Sequence, residues 1–200
     1  MKEIKLDKNT RIEALQAVVE VLNKGGVVIY PTETAYGLGC DFYNPKARNK
    51  IYAIKKRDKK NILPVIVPDL ITATSLVDFS SMARRLAMEH WPGPLTLVLP
   101  YKYYKINDHG DDYLALRVSD HPFVSLLSAN FAKPIVSTSA NISNQPNCYS
   151  PEDIKKQFMN SKIKPDLFIN AGKLPKVKPT TIVKVVGDKM EILRQGETKI

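Results

Sequence analysis

Short runs of consecutive apolar residues, separated by amphipathic helical segments, are the feature of this sequence that most restricts its fold. The runs at residues 27–30 (VVIY) and 65–67 (VIV) are too short for helices and lack the alternation of a half-exposed strand. Strands covered on both faces read as continuous apolar runs, so these segments predict a sheet between layers of helices. We predict an α/β fold, a twisted mixed sheet with flanking helices, as a single domain over residues 1–200.

Local signals predict where the helices begin and end. Thr10 and Glu13 are spaced as a capping box for a first helix that stops at Gly25. Asn44 is expected to cap a second helix whose first residue is Pro45. Further helices are expected at residues 80–90, from 121 to about 130 and from 150, and further strands at 95–99, 114–118, 134–136, 167–170, 180–186 and 190–194.

Hydroxyl-rich segments follow two of the predicted strands. Residues 31–37 (PTETAYG) come after the first apolar run, and residues 137–141 (STSAN) come after the strand at 134–136. Such segments are often ordinary turns or helix caps. They are equally suited to line a polar pocket that donates hydrogen bonds to a phosphate, a ribose or a base edge. The residues alone leave both interpretations open.

Positive charge is the main clue to a ligand, because the chain carries a formal net charge of +10. Residues 46–60 hold eight of the basic side chains and only one acidic one, Asp58. A solvated helix face is one interpretation of this run. The other is a triphosphate clamp in which Lys55 and Arg57 act together and Asn61 adds a neutral donor. Arg117, inside an apolar strand, needs a carboxylate partner from the protein or from a ligand.

Several classes of site lack their signatures. Gly37 and Gly39 begin a dinucleotide-type motif without its third glycine, and no P-loop sequence occurs. No apolar run approaches the roughly 20 residues of a membrane span, and the N-terminus lacks the apolar region of a signal peptide. Zinc-type spacing is absent from the histidines and cysteines, which are His90, His109, His121, Cys40 and Cys148. We therefore expect no protein-bound metal, no membrane insertion and a cytoplasmic location.

Five segments, in chain order, resemble motifs of the YrdC family. The resemblance extends over essentially the whole chain, and it is to the short single-domain bacterial form, without the extra C-terminal domain of longer members. One departure is Val67-Pro68, where many longer members have a histidine. The matching segments are residues 30–39 (YPTETAYGLG), 55–57 (KKR, a Lys-x-Arg motif), 91–96 (WPGPLT), 117–122 (RVSDHP) and 139–141 (SAN, a Ser-x-Asn motif).

The resemblance implies a nucleotidyltransferase with an open basic cavity that makes L-threonylcarbamoyladenylate for tRNA modification. L-Threonine and bicarbonate or CO₂ would form a carbamate that attacks the α-phosphate of ATP and releases pyrophosphate, with Mg²⁺ accompanying ATP. It also implies tRNA and the proteins of a threonylcarbamoyl transferase complex as partners. The alternatives are a non-catalytic RNA-binding paralogue and, less well matched, carbamoyl transfer to a different acceptor.

The resemblance also implies roles for the residues of this chain that occupy the family's functional motif positions. Lys55 and Arg57 would be catalytic, and Arg117 would pair with the threonine carboxylate. Substitution of Arg57 or Asn141 by alanine is expected to lower turnover without a large loss of thermal stability. The implied ATP-binding residues are Lys55, Arg57, Asn61, Thr96, Ser139, Asn141 and Arg194. The implied threonine-binding residues are Thr34, Tyr36, Arg117, Ser137 and Thr180.

Overall fold

A computed structural model describes residues 1–102 and 112–200 of the chain. Within these residues there are ten strands and six helices. The strands are β1 (Lys2–Lys5), β2 (Val28–Pro31), β3 (Tyr36–Asp41), β4 (Val65–Ile66), β5 (Leu95–Pro100), β6 (Tyr113–Arg117), β7 (Ile135–Ser139), β8 (Leu167–Asn170), β9 (Thr181–Val186) and β10 (Lys189–Arg194). The helices are α1 (Arg11–Asn23), α2 (Pro45–Lys55), α3 (Leu70–Leu76), α4 (Ser81–His90), α5 (Pro122–Phe131) and α6 (Pro151–Phe158).

All ten strands form one continuous mixed sheet in the order β1-β8-β2-β3-β7-β4-β6-β5-β9-β10. β8 pairs in parallel with both β1 and β2, and β4–β6 and β5–β9 are also parallel. The other neighbouring pairs are antiparallel. The predicted fold class, an α/β fold with a mixed sheet and flanking helices, is confirmed. Within the described residues, no helix is both long enough and apolar enough to cross a membrane.

Helices cover both faces of the sheet, and each face has its own apolar core. On one face, α1 and α5 pack against the sheet through fully buried side chains such as Leu22 and Leu127. On the other face, α2, α4 and α6 contribute Ile51, Leu86 and Phe158 to a larger cluster. Burying one such side chain stabilises the fold by about 1.5–3 kcal/mol, so the two layers hold the sheet firmly in place.

The predicted cap of α2 is confirmed, whereas the capping box predicted for α1 does not form. Asn44 Oδ1 accepts a hydrogen bond from Ala47 N at 3.1 Å, and Pro45 is the first helical residue. Thr10 precedes α1 but makes no side-chain cap. Its hydroxyl donates instead to Lys5 O at 2.6 Å, because a turn at Asp7 brings Thr10 back toward β1. A capping box is present instead at Ser150 and Asp153, at the start of α6.

The sheet also contains residues that the sequence pattern did not predict as strands. β3 includes both glycines of the incomplete dinucleotide motif and is buried along its whole length. A Cβ atom at Gly39 would lie 2.5 Å from Val136 O, so glycine permits the close pairing of β3 with β7. The expected turn at residues 137–141 begins inside β7, because residues 137–139 pair with residues 37–39. β1 and α3 are likewise additions to the predicted elements.

Candidate active site

A cavity of about 520 Å³ lies against the hydroxyl-rich ends of β2 and β7. Its wall also takes side chains from the segment after α2 and from β5, β6, β9 and β10. Of the twelve predicted site residues, ten line this cavity and two, Lys55 and Asn141, do not. The ten are Thr34, Tyr36, Arg57, Asn61, Thr96, Arg117, Ser137, Ser139, Thr180 and Arg194.

The segment after α2 supplies a group of hydrogen-bond donors at one side of the cavity. Lys56 adopts a left-handed conformation (φ 50°), which turns the chain out of the helix just before Arg57. Asp58 then closes a tight turn, in which its carboxylate accepts from Lys60 N at 2.9 Å and its carbonyl from Asn61 N at 3.1 Å. Arg57, Lys60 and Asn61 all line the cavity, so the turn presents cationic and amide donors together.

Arg57 is partly buried and has hydrogen-bonding capacity to spare. Its Nη2 donates to Ile62 O at 3.2 Å, while its Nε is buried without a partner among the described residues. Burial lowers the pKa of the Arg57 guanidinium, since the charged form loses hydration there. An anion that entered the cavity would supply the acceptor that this guanidinium lacks.

Lys55 has a different environment from the predicted one. Its side chain is only 2% exposed, and its Nζ donates to Ser139 O at 2.5 Å, Asn141 O at 2.8 Å and Asn141 Oδ1 at 3.1 Å. Burial, followed by the charge of Arg57, lowers the pKa of Lys55 to about 7. When it is charged, the Lys55 ammonium donates all three protons to oxygens of Ser139 and Asn141, so it has no further proton to donate to ATP in this arrangement. The predicted contact between Lys55 and ATP stays a prediction.

Asn141 is also part of the protein framework rather than of the cavity wall. Its Oδ1 accepts from Ser139 Oγ at 2.6 Å as well as from Lys55. Its Nδ2 donates to Gln145 O at 2.6 Å and Ile142 O at 3.1 Å. The hydrogen-bonding groups of the side-chain amide are therefore all used within the protein, and the predicted contact between Asn141 and ATP stays a prediction. We name the cluster of Lys55, Ser139 and Asn141 the lysine cluster; Lys55 and Asn141 are buried, and Ser139 also lines the cavity.

The rest of the basic run divides between buried and exposed positions. Arg48 is buried, and its Nη1 donates to Phe42 O. Lys50 Nζ lies 2.7 Å from Asp166 Oδ1, whereas Lys46 and Lys59 are exposed. A uniformly solvated helix face is thus excluded.

Arg117 lies on β6 and lines another side of the cavity. Its Nη1 donates to Glu33 Oε1, and Ser119 Oγ donates to Glu33 Oε2 at 2.7 Å. Of the two partners left open by the sequence, the carboxylate from the protein is therefore confirmed. A guanidinium has five N–H groups, so this ion pair leaves donors for a ligand in the cavity.

Hydroxyl groups line the wall between these two charged sides. Tyr30 OH donates to Ser137 Oγ at 2.8 Å, which leaves the Ser137 proton available to the cavity. Burial raises the pKa of Tyr30 to about 12, so this bond is maintained at neutral pH. Thr180 Oγ1 accepts from Thr96 Oγ1 at 3.2 Å and from Arg194 Nη2 at 2.8 Å.

Tyr36 contributes its ring, not its hydroxyl, to the cavity. The ring is fully buried, and the hydroxyl donates to Gly172 O at 2.7 Å and accepts from Ala171 N at 3.0 Å. Burial raises the pKa of Tyr36 to about 12. The hydroxyl thus fixes the start of the segment that reaches the cavity at Val177 and Pro179, and a direct hydrogen bond from Tyr36 to threonine is not supported.

Sequence reasoning missed the apolar part of the wall. Val98, Ala115 and Ile182 line the cavity, and each lies two residues from a predicted site residue on the same strand or at its end. Alternate residues of a strand share a face, so that spacing from Thr96, Arg117 and Thr180 was the available signal. Thr32, Ala35, Gly37 and Thr138 also line the cavity and belong to the two hydroxyl-rich segments, although no role was predicted for them individually. The remaining lining residues are Lys60, Ile62, Pro64, Asn147, Tyr149, Val177, Pro179 and Leu193.

The described residues offer no metal centre. Over residues 1–102 and 112–200, no group of three or more histidine, cysteine, aspartate or glutamate side chains is placed to hold a metal ion. His109 lies outside the described residues. Cys40 and Cys148 are both buried free thiols.

Sequence comparisons find relatives over most of the chain. The family model Sua5/YciO/YrdC, described as "Telomere recombination", matches residues 20–196. A protein of Yersinia enterocolitica named threonylcarbamoyl-AMP synthase is 37% identical over 161 residues, which are 78% of this chain and 85% of that protein. A protein of the same name from Vibrio vulnificus is 35% identical over 190 residues, 92% of this chain and 100% of that protein.

Structural comparisons agree with the sequence relatives. Sua5 of P. abyssi, whose crystal structure was determined in complex with L-threonine, superposes with a TM-score of 0.86 at 27% identity. The match covers 98% of this chain and 57% of the Sua5 chain, so this chain spans little more than half of that protein. E. coli YciO matches with a TM-score of 0.84 at 27% identity, covering 98% of this chain and 94% of that chain. The chain therefore belongs to the Sua5/YciO/YrdC family.

Proposed function

We propose that this protein is a threonylcarbamoyl-AMP synthase that uses ATP, L-threonine and bicarbonate or CO₂. The observation that carries the proposal is one cavity with a donor-rich turn at residues 57–61 and a second guanidinium, Arg117, on β6. Two anionic substrates can be held there and brought into contact. The names of the Yersinia and Vibrio relatives, and the threonine complex of Sua5, support this activity over a purely RNA-binding role.

The reaction requires positioning more than covalent catalysis. The amine of threonine joins bicarbonate with loss of water, and an oxygen of the resulting carbamate attacks the α-phosphorus of ATP. The bond from that phosphorus to the bridging oxygen breaks, and pyrophosphate leaves with the electron pair. Both reactants are anions, so the protein's contribution is to hold them in line and to stabilise the charge that develops on the phosphates.

The geometry supports a division of the site between the two substrates. Arg57, Lys60 and Asn61 are suited to the phosphates, because a fork of N–H groups and an ammonium both favour phosphate oxygens. Arg117 is suited to the carboxylate of threonine, with the hydroxyls of Thr34 and Ser137 beside it. The resemblance to the family assigns Thr96, Ser139 and Arg194 to ATP and Thr180 to threonine. Lys55 and Asn141 support this wall from behind.

Magnesium would accompany ATP rather than occupy a site built by the protein. The described residues that line the cavity include no aspartate or glutamate. Hard cations prefer carboxylate and phosphate oxygens, so the residues fit a Mg²⁺ ion that is held through the phosphates of ATP. Bound there, the ion would neutralise phosphate charge.

The product would be used by other components of the cell. We propose that the adenylate passes, in the cytoplasm, to a threonylcarbamoyl transferase complex that modifies tRNA. Exposed lysines such as Lys46 and Lys59 remain available for electrostatic attraction of tRNA.

The test is turnover by the purified protein. Incubation with ATP, Mg²⁺, bicarbonate and L-threonine should release pyrophosphate and give threonylcarbamoyl-AMP by mass spectrometry. Omission of threonine should abolish both signals. The control is Lys46→Met, which removes a positive charge from the exposed start of α2 and should retain full activity. Absence of threonine-dependent pyrophosphate from a folded protein that still binds tRNA would favour the non-catalytic alternative.

A further inference from the structure

Glu33 is a largely buried charged residue within the motif at residues 30–39 to which the sequence analysis assigned no role of its own. Its side chain is 13% exposed, pairs with Arg117 and does not line the cavity. Both carboxylate oxygens are used, one by Arg117 Nη1 and the other by Ser119 Oγ at 2.7 Å. A carboxylate held by two groups from one polar segment of the chain is well placed to control the orientation of either of them.

A rigid turn fixes the position of Glu33. Thr32 Oγ1 donates to Ala35 O at 2.6 Å, and Thr32 N donates to the same carbonyl at 3.1 Å. Glu33 and Thr34 lie between these residues. Thr34 lines the cavity whereas Glu33 does not, so a single turn supplies both a wall residue and the anchor of Arg117.

The other end of the contact is equally restrained. Ser119 is buried, and its Oγ also accepts a hydrogen bond from His121 N at 3.3 Å. Ser119 O accepts from Ser125 Oγ at 2.8 Å, which connects this segment to α5. Neither Glu33 nor Ser119 can move without disturbing a packed helix or the turn at Thr32. Arg117 Nη1 is therefore held by a restrained carboxylate that does not itself line the cavity.

We propose that Glu33, supported by Ser119, is a positioning residue that orients Arg117 toward the carboxylate of the amino-acid substrate. This inference rests on the proposed function. The Glu33 contact occupies Nη1 and directs the remaining N–H groups of Arg117 to the cavity. It also balances the charge of Arg117 before the substrate arrives, because a buried guanidinium without a carboxylate is costly.

The proposal predicts selectivity for the carboxylate, which can be measured without turnover. The probes are L-threonine and L-threoninol, in which a hydroxymethyl group replaces the carboxylate, and their affinities are determined by calorimetric titration. The unaltered protein should bind L-threonine roughly 10- to 100-fold more tightly than L-threoninol, as expected for a charge-assisted hydrogen bond. Arg117→Gln should abolish that preference.

Glu33→Gln keeps the shape of the side chain and removes its charge. It should reduce the preference for L-threonine over L-threoninol to less than about 5-fold, while affinity for L-threoninol changes by less than about 2-fold. Ser119→Ala leaves the Glu33 charge in place and should give an intermediate preference. Thermal denaturation of each variant shows whether it is folded.

The outcomes separate this inference from the proposed function. Equal weakening of both probes in Glu33→Gln, or an unchanged preference, would overturn the positioning role. A lack of preference in the unaltered protein would overturn it as well. A protein that prefers L-threonine in a Glu33-dependent way but releases no pyrophosphate would retain the positioning role and refute the proposed synthase activity.

Discussion

Lys55 and Arg57 are two residues apart in one basic motif, yet they face different parts of the molecule. Lys55 Nζ is enclosed by three oxygens of Ser139 and Asn141, with donor–acceptor distances of 2.5–3.1 Å. Arg57 lines the cavity, and in the part of the chain that the structure describes its Nε has no partner. The left-handed residue between them, Lys56, turns the chain and so separates the two directions.

The comparison shows that one motif can both build a site and bind its ligand. An ammonium with three protons can donate to three surrounding carbonyl oxygens, whereas a planar guanidinium can donate two parallel hydrogen bonds to the oxygens of a phosphate. The lysine cluster joins the end of α2 to β7, and this junction holds Ser139 at the cavity wall. If this division is right, loss of Lys55 should mainly reduce stability, and loss of Arg57 should mainly reduce ATP use.

The largest effect is expected from Lys55→Met. Methionine has a similar length but leaves three buried oxygens without their donor, which should cost about 3 kcal/mol. For a chain of this size the melting temperature should fall by roughly 6–12 °C. Thermal denaturation followed by circular dichroism measures this, with Lys46→Met as the control that makes the same substitution at an exposed position of α2. An unchanged melting temperature combined with a raised KM for ATP would reverse the roles of Lys55 and Arg57.

Arg57→Met should mainly reduce activity with ATP and leave stability almost unchanged. Loss of a charge-assisted contact with phosphate, about 1.5–3 kcal/mol, should lower kcat/KM for ATP roughly 10- to 150-fold. The melting temperature should change by less than about 2 °C, because the one hydrogen bond that is lost lies at the cavity edge. Pyrophosphate release at varied ATP concentration provides the measurement. A large loss of stability with normal kinetics in the remaining folded protein would contradict the assignment.

Asn141→Ala should resemble the Lys55 variant, not the Arg57 variant. The amide makes four hydrogen bonds within the protein, so its removal should cost about 2 kcal/mol and lower the melting temperature by roughly 4–8 °C. This reverses the expectation from the motif alone, which predicted lost turnover without lost stability. Ser139→Ala is the matched comparison, since it removes only one bond of the lysine cluster. Retention of stability in Asn141→Ala would restore the ligand-binding interpretation.

The smallest effect is expected from Tyr36→Phe, which keeps the ring and removes the hydroxyl that holds residues 171 and 172. The loss should be about 1 kcal/mol at neutral pH. Since the pKa of Tyr36 is raised to about 12, the folded protein keeps a proton that the unfolded chain loses above pH 10. Stability therefore falls as pH rises from 10 to 12, and the variant should show a shallower fall. Urea denaturation between pH 10 and pH 12 measures the free energy of unfolding of both proteins. An equal fall in the unaltered protein and in Tyr36→Phe would contradict the role of the hydroxyl.

Local signals in the sequence were sufficient for most of the secondary structure. Asn44 followed by Pro45 was a reliable helix start because the backbone donor that Asn44 caps, Ala47 N, is only three residues away. Thr10 had an equally suitable sequence but found a closer acceptor in Lys5 O. β3 was missed because its glycines carry no strand signal, and their function depends on the proximity of β7.

The site was predictable where residues lie at strand ends and much less so where long side chains are involved. Thr34 and Ser137 reach the same cavity because β2, β3 and β7 are neighbours in the sheet. The position of Lys55 Nζ depends on Ser139, which is 84 residues away. The pairing of Glu33 with Arg117 spans the same separation. No local pattern encodes such contacts, so a motif identifies the residues without saying which of them touch the ligand.

A crystal structure with a non-hydrolysable ATP analogue and L-threonine tests the division between Lys55 and Arg57 most directly. We predict that Lys55 Nζ stays within hydrogen-bonding distance of Ser139 O and Asn141 O, which are now at 2.5 and 2.8 Å. The Arg57 guanidinium should contact a phosphate oxygen. A structure in which Lys55 Nζ has left both carbonyls to bind phosphate, while Arg57 makes no contact with the nucleotide, would contradict the account.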